Sequence, residues 1–452
     1  MKKLFLFIIL KFLIVSASAQ SAQTIGFDAP LDSILLAKFN SGTPGVAVLV
    51  AKKGKIEYRK AFGLASLELS VGMRPEMLFN LGSITKQFTA VAVLQLMESG
   101  KLSLQDSIQK YIPKFPQKGY KITIENLLTH TSGIRDYMQM NDKDPFIDRH
   151  DFKPEELINY FKDEPLEFKP GSRYSYSNSG YVLLGYIIEQ ISGKSYLSYL
   201  QEYIFNPLGL NNTFYDSSNT ILPGRTSGYQ GSVKYLKADY WGASLPFAAG
   251  GLISNVDDLF RWHLGLLSGK VLKKDGLRKA FTPAKLKDGT LINYGYGWML
   301  GHLGNFKSIS HGGAMTGYRT QQLYYPDQDV YIVILANCDQ APTEELSTSI
   351  STLILGKSTQ TDFKQNETVL ALYCGVYELS EDPKRKISVN MENGRLVATT
   401  STGQKLQFVF QSESKFEFKD ISDAIGAFAI ENNKTNGFVI QQNGTFHWTK
   451  IK

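Results

Sequence analysis

A serine and a lysine three residues apart are the first residues in the sequence whose types and spacing could do chemistry. Ser83 and Lys86 form the pattern Ser-x-x-Lys directly after Gly82. Residues 83–99 lack glycine and proline and repeat apolar side chains at helical spacing, so Ser83 is predicted to open a helix. Side chains three apart lie on the same helix face, which places Lys86 within reach of the Ser83 oxygen. A lysine with a lowered pKa can take the serine proton and create a nucleophile.

The same pattern recurs at Ser107 and Ser412, so the sequence context has to separate the three copies. Ser107 leads into a segment that contains Pro113, and Ser412 lies among alternating strand residues. Only the first copy stands at a predicted helix N-terminus, where free N–H groups favour an oxyanion. The alternative is that Ser83 only caps its helix while Lys86 faces solvent.

A second polar pair, Tyr176 and Asn178, is the single Tyr-x-Asn pattern of the chain. It lies in the polar segment 170–180, just before a run of helical periodicity from Tyr181 to Ile191. A phenol here could relay protons, and an amide could hold a substrate carbonyl or the lysine. The simpler alternative is a turn with an asparagine cap.

A third motif, His-Gly-Gly-Ala, begins at His311. It precedes a predicted strand from Tyr318 to Tyr325, and its small residues would let a substrate lie against the backbone. His302 starts a similar His-x-Gly sequence, but only His311 has this context.

Together and in this order, the three motifs resemble the serine β-lactamase and penicillin-binding protein superfamily. The nearest branch is that of class C β-lactamases, D-alanyl-D-alanine carboxypeptidases and related esterases. The resemblance spans about residues 30–355 and includes Leu-Thr-His-Thr-Ser-Gly at 128–133, where His130 is taken as structural. It implies an acylated serine, a shared acid–base role for lysine and tyrosine, and an oxyanion hole from two backbone N–H groups. The implied catalytic residues are Ser83, Lys86 and Tyr176, and the implied substrate-binding residues are Asn178, His311, Gly313 and Ala314.

One departure from that family concerns the third motif. Penicillin-processing relatives carry lysine at the position of His311, and a fixed cation there would meet a substrate carboxylate. A neutral histidine would do so less well, which favours an esterase, amidase or D-amino-acid peptidase. A D,D-carboxypeptidase or weak β-lactamase is the nearest alternative. A non-catalytic module that binds peptidoglycan or a partner is the alternative from another class.

The elements that must position these residues follow from periodicity. Apolar runs at 45–51 and 56–62 predict one β-hairpin, and Tyr318–Tyr325 with Val330–Ala336 predict a second. A helix is predicted from Thr343 to Leu355. Strands near both chain ends with helices between them predict an α/β (α+β) domain with an all-helical insertion. The resemblance makes its sheet antiparallel, of the β-lactamase/transpeptidase type.

Composition changes divide the chain into four predicted parts. Residues 1–19 have a basic start, an apolar stretch and a small-residue cleavage site, which indicates a cleaved secretory signal. Residues 20–356 form the hydrolase domain, and the polar residues 357–368 a linker. Residues 369–452 carry short strands and turns, which predict a small β-barrel or sandwich. By texture and position this last part resembles a lipocalin-like appendage.

The signal predicts a periplasmic or secreted protein with no membrane span after cleavage, and an uncleaved anchor is the alternative. Net charge is +7 with scattered lysine and arginine, which excludes a nucleic-acid partner. No Cys/His cluster has metal-ligand spacing, so no metal or organic cofactor is expected. The expected partner is a small-molecule or peptide substrate, peptidoglycan fragments included. Cys338 and Cys374 are two buried thiols or one bridge.

Overall fold

A computed structural model describes residues 28–140, 143–144, 146–356, 363, 365–410, 412–419, 421–431, 434–441 and 445–452. The predicted signal and most of the predicted linker lie outside the described residues. The α-helices of the described part are Asp28–Leu36, Thr85–Glu98, Ile124–Leu128, Pro154–Phe161, Asn178–Ser192, Tyr196–Leu200, Asn206–Leu208, Phe247–Gly250, Val256–Leu267, Lys274–Ala280, Thr343–Leu355 and Glu367–Tyr373.

The main sheet is antiparallel and joins the two ends of the hydrolase region. Strand Val46–Lys52 pairs with Lys55–Phe62 on one side and with Val330–Ala336 on the other. Both central strands are buried almost throughout, which explains their unbroken apolar sequence. Val330–Ala336 also pairs with Tyr318–Tyr325, so the predicted fold class and both predicted hairpins are confirmed. In spatial order the six strands are Met299–Leu303, Phe306–Met315, Tyr318–Tyr325, Val330–Ala336, Val46–Lys52 and Lys55–Phe62.

Helices cover both faces of this sheet. Asp28–Leu36 and Thr343–Leu355 pack on one face, around Leu35, Val48 and Ile350. The other face carries the larger core, whose central element is helix Thr85–Glu98. That helix is buried nearly all round, as expected for an element enclosed by other helices.

The region inserted between the hairpins is not all-helical, which corrects the prediction. Strand Leu252–Ser254 pairs with Phe79–Asn80 and with Phe214–Tyr215. Tyr229–Gln230 pairs with Leu236–Lys237 in a further small sheet. Strands of two or three residues are too short to show the alternation by which a sequence reveals a strand.

The C-terminal strands close into an eight-stranded barrel, so the barrel alternative is confirmed over the sandwich. Helix Glu367–Tyr373 includes residue 369, the predicted start of this region, where only strands were expected. It packs against the barrel core, with the Tyr373 ring stacked 3.9 Å from that of Phe428. The strands are Gly375–Leu379, Asp382–Glu392, Arg395–Thr400, Lys405–Phe410, Lys415–Phe418, Ile421–Glu431, Lys434–Gln441 and Thr445–Lys450.

The barrel rests against the outer strand of the main sheet, Met299–Leu303. Strand Ile421–Glu431 contacts that strand, and Glu417 Oε1 lies 3.5 Å from Nδ1 of His302. Cys338 and Cys374 are both free thiols, which settles the open question about them. Across the described residues, no helix is long and apolar enough to cross a membrane.

Asn337 follows strand Val330–Ala336 and ties its end to three neighbouring segments, so its loss should be costly. The buried side chain donates to the carbonyls of Leu64 and Ser227 and accepts from the N–H of Gly45 at 2.6 Å. Asn337→Ala leaves these groups buried and unpaired, so we expect a loss of about 3 kcal/mol in the free energy of unfolding. Chemical denaturation followed by tryptophan fluorescence measures it.

The matched control is Asn219→Ala, because Asn219 is exposed. Asn219→Ala should change the free energy of unfolding by no more than about 0.5 kcal/mol. Equal losses for the two variants would contradict the role given to Asn337.

Candidate active site

Ser83 is held at the junction between a short turn and a long helix. Residues Gly82–Ile84 form one turn of 3-10 helix, and the α-helix Thr85–Glu98 follows directly. Gly82 has a φ of +55°, and a Cβ there would lie 2.8 Å from the nitrogen of Ala314. Glycine is therefore required, both for the left-handed conformation and for the close approach. The approach brings the backbone before Ser83 against the strand that carries the third motif.

Gly313 makes the matching contact from the strand Phe306–Met315. A Cβ at this position would lie 2.0 Å from the carbonyl oxygen of Leu81 and 2.3 Å from Oγ1 of Thr320. The Thr320 hydroxyl in turn donates to Leu81 at 2.8 Å. The two glycines together let the backbones around Ser83 and Ala314 lie side by side.

Lys86 is fully buried behind Ser83, with three polar contacts at its amine. Nζ lies 3.1 Å from Ser83 Oγ, 2.9 Å from Asn178 Oδ1 and 2.8 Å from the carbonyl oxygen of Ala249. Burial lowers the pKa of Lys86 to about 7, while the charge of Asp136 opposes that shift. A large fraction of the lysine is therefore neutral near neutral pH, as a general base requires. Lys86 does not face solvent.

Asn178 begins the helix Asn178–Ser192 and joins Lys86 to a buried carboxylate. Its Nδ2 donates to Asp136 Oδ2 at 3.0 Å, while its Oδ1 faces the lysine. Burial raises the pKa of the Asp136 carboxyl, and Lys86 is among the groups that oppose the rise. The sequence analysis did not single out Asp136. The available signal was its place just after the Leu-Thr-His-Thr-Ser-Gly motif.

The hydroxyl of Tyr176 is buried beside the hydroxyl of Ser83. Its phenol oxygen is buried and has no hydrogen-bond partner of normal geometry in the described structure. Burial raises the pKa of Tyr176 well above its ordinary value, and the neighbouring Ser83 hydroxyl opposes that rise. The amine of Lys86 lies 4.7 Å from the centre of the ring. The phenol is therefore neutral and able to donate a proton.

His130 supports Tyr176 from behind. The two rings stack at 4.2 Å, and His130 Nδ1 accepts the backbone N–H of Ser177 at 3.0 Å. Burial lowers the pKa of His130 well below its ordinary value, so the ring is neutral. These contacts support the structural role expected for His130.

His311 is also neutral and is held by the protein through both ring nitrogens. Nδ1 lies 2.6 Å from the carbonyl oxygen of Gly312, and Nε2 lies 3.0 Å from the hydroxyl of Tyr294. The carbonyl can only accept, so Nδ1 carries the proton and Nε2 accepts from the tyrosine. Burial, followed by the charge of Lys86, lowers the pKa of His311 to about 3. The position therefore offers no cation to a substrate.

These residues meet at a cleft of about 750 Å³. Asn178 and Lys86 lie behind Ser83, and the other five predicted site residues line the cleft. Further lining residues that the sequence analysis did not single out include Tyr174, Met299 and Arg319.

An antiparallel sheet whose edge lies beside a serine–lysine pair is the arrangement of a serine hydrolase of the β-lactamase and transpeptidase fold. Comparisons with known proteins agree with this class. The beta-lactamase family model matches residues 31–354. The chain therefore belongs to the beta-lactamase family, and it is a serine hydrolase.

Individual relatives cover most of the chain. Penicillin-binding protein 4* of Bacillus subtilis is 28% identical over 429 residues, which span 88% of this chain and 93% of that protein. A D-aminopeptidase of Brucella anthropi is 28% identical over 65% of this chain and 56% of its own length. The structure of an octameric penicillin-binding protein homologue from Pyrococcus abyssi has a TM-score of 0.64 at 26% identity. It covers 93% of this chain and 100% of that one.

The glycine contacts predict a steep loss of activity when a methyl group is placed between the two backbones. In Gly313→Ala the new Cβ would meet the backbone oxygen of Leu81, so the strand must move away from Ser83. A displacement of this size at a reacting centre costs about 100-fold in rate. Acylation kinetics with an activated ester measure the loss.

Gly312→Ala is the neighbouring comparison. Its Cβ would meet only the end of the flexible Gln321 side chain, at 2.7 Å. Its loss should be at least about tenfold smaller. If Gly312→Ala slowed acylation as much as Gly313→Ala, the role given to the Gly313 contact would be wrong.

Proposed function

We propose that the chain is an exported hydrolase that cleaves esters or amides, including D-amino-acid amides and peptides, through an acyl-enzyme on Ser83. The observation that carries this proposal is the 3.1 Å contact between Ser83 Oγ and the buried amine of Lys86. Export rests on the predicted signal in residues 1–19.

The proposed reaction has two acyl transfers. Ser83 Oγ attacks the substrate carbonyl carbon while Lys86 takes the hydroxyl proton, and the carbonyl oxygen becomes an oxyanion. The N–H groups of Ser83 and Ala314 stabilise that oxyanion. The tetrahedral intermediate then breaks its bond to the leaving group, which takes a proton from Tyr176, and Lys86 supplies the phenol with a replacement. Water attacks the acyl-enzyme by the reverse proton path and releases the acid.

The strand Phe306–Met315, which carries the third motif, offers an edge at which a substrate could bind. Met299 pairs with Ser310, so the sheet partner of this strand ends just before His311. The backbone of Gly313 and Ala314 lines the cleft at that edge. A neutral His311 suits substrates that bring no carboxylate to this position, and the similarity to a D-aminopeptidase supports amides of this kind.

One observation favours D,D-carboxypeptidase activity as a second candidate. Arg319 lines the same cleft and makes no ion pair with any described residue. Its guanidinium could receive the carboxylate that His311 cannot. The contacts made by Ser83, Lys86 and Asn178 argue against the non-catalytic alternative, because a binding module has no need of a buried lysine beside a serine.

Intact-mass spectrometry tests the proposed function. The protein is exposed to benzylpenicillin and, separately, to an activated ester, each beside Ser83→Ala. We expect a covalent adduct on the wild-type protein that the variant lacks, and the preferred probe separates peptidase-like from esterase-like chemistry. An adduct that persists in Ser83→Ala would contradict Ser83 as the nucleophile. A folded wild-type protein that forms no adduct would favour the binding module.

The lowered pKa of Lys86 predicts the pH dependence of acylation. The base works when neutral, so the rate should fall as pH drops through about 7 and should level off above it. If the reaction needed a protonated lysine, the rate would instead fall as pH rises through that value. The measurement is kcat/KM for an activated ester across roughly pH 5 to 9, a range that brackets the pKa of Lys86.

A further inference from the structure

The carboxylate of Asp136 is buried beside Asn178, and the proposed mechanism does not use it. Its two oxygens have different partners. Oδ2 accepts from Asn178 Nδ2 at 3.0 Å, and Oδ1 accepts from the backbone N–H of Met138 at 3.2 Å. Both partners are donors, so the position requires two acceptors. An ionised carboxylate supplies two acceptors and no donor.

This requirement fixes the orientation of the neighbouring amide. Asn178 has one donor end and one acceptor end, and Asp136 can take only the donor end. The acceptor end, Oδ1, must therefore face Lys86, as it does at 2.9 Å. The carboxylate in this way determines which end of Asn178 the lysine meets.

The amide orientation in turn determines where the lysine lone pair points. A neutral amine has two N–H bonds and one lone pair, and Lys86 has three polar neighbours. Two of them, the Ala249 carbonyl and Asn178 Oδ1, can only accept, so they take the two N–H groups. The lone pair is left for the third neighbour, the hydroxyl of Ser83. That direction is the one a general base needs.

We propose that Asp136 is a positioning residue which holds the Asn178 amide so that the lone pair of neutral Lys86 points at the Ser83 hydroxyl. The inference rests on the proposed function and names the residue that orients its base. Burial raises the pKa of Asp136, and the charge of Lys86 opposes that rise. The buried phenols of Tyr137 and Tyr176 are the other titratable groups near this carboxylate, and burial and its charge both raise their pKa values. Burial, followed by the charge of Lys86, lowers the pKa of both His130 and His311, so both rings are neutral beside the lysine.

Two substitutions of Asp136 separate positioning from mere packing. In Asp136→Asn the new amide cannot accept at both ends, so it either opposes the Met138 N–H or turns Asn178 around and presents Nδ2 to Lys86. Asp136→Ala removes the acceptor without supplying a competing donor. We therefore expect Asn, the better shape match, to slow acylation more than Ala, by about 100-fold against about tenfold. A packing role predicts the opposite order, because only Ala leaves a cavity.

The readouts are stopped-flow acylation by p-nitrophenyl acetate and thermal unfolding of each variant. The loss should appear in the acylation rate constant, with the binding constant of the ester within about twofold of wild type. Both variants remove a charge that raises the pKa of Lys86. The fall of the acylation rate on the acidic side of the pH–rate profile should therefore move to lower pH. Asp136→Asn that acylates within threefold of wild type, or Ala slower than Asn, would overturn the proposal.

The matched control is Asp258→Asn, which removes another buried carboxylate. Asp258 lies on the first turn of helix Val256–Leu267. It accepts hydrogen bonds from the N–H of Asn212 and from the Thr213 hydroxyl. Asp258→Asn should lower the unfolding temperature and leave the acylation rate and its pH–rate profile unchanged. A shifted profile in this control would mean that any buried charge has the effect, and would overturn the assignment.

A wild-type measurement keeps the proposal testable if neither Asp136 variant folds. Neutron diffraction on crystals exchanged into D2O shows the amide deuterons of Asn178 directly. Deuterons directed at Asp136 support the proposal, and deuterons directed at Lys86 overturn it. Failure of the proposed function would appear separately, as a wild-type protein that the ester does not acylate on Ser83.

Discussion

The burial of one amine is the constraint on which the rest of the site depends. Lys86 lies wholly inside the protein, where an amine is tolerated only if its hydrogen bonds are satisfied and its pKa falls. Three separate elements meet that need: the turn at Ser83, the start of the helix at Asn178 and the carbonyl of Ala249. The same contacts that make burial tolerable also hold the proposed base beside the proposed nucleophile.

Close backbone packing is the second requirement, because the proposed oxyanion hole takes its two N–H groups from distant parts of the chain. Gly82 and Gly313 remove the side chains that would keep the helix start and the sheet edge apart. The hairpins then fix where that edge stands, since strand Val46–Lys52 joins the first hairpin to the second. The barrel rests on the outermost strand of the same sheet, through contacts near His302 and Glu417.

Sequence reasoning works where a residue's role shows in local spacing. The Ser83–Lys86 contact follows from helix geometry. The strand at 330–336 can be predicted because it is buried on both faces and its sequence is therefore apolar throughout. Strand Phe306–Met315 was missed because its serines and glycines give no clear alternation. Asp136 was missed for a different reason: its partner Asn178 lies 42 residues away, and no local pattern records that contact.

Lys86 is proposed to be a neutral base in the resting protein, and a titration of this one amine tests that proposal. NMR of protein labelled with ¹³C at the lysine ε-carbons follows each amine separately, and Lys86→Met identifies the signal. We expect one lysine signal that titrates at about 7 and disappears in the variant. A Lys86 signal that stays protonated up to the ordinary lysine range of about 10.4 would contradict it.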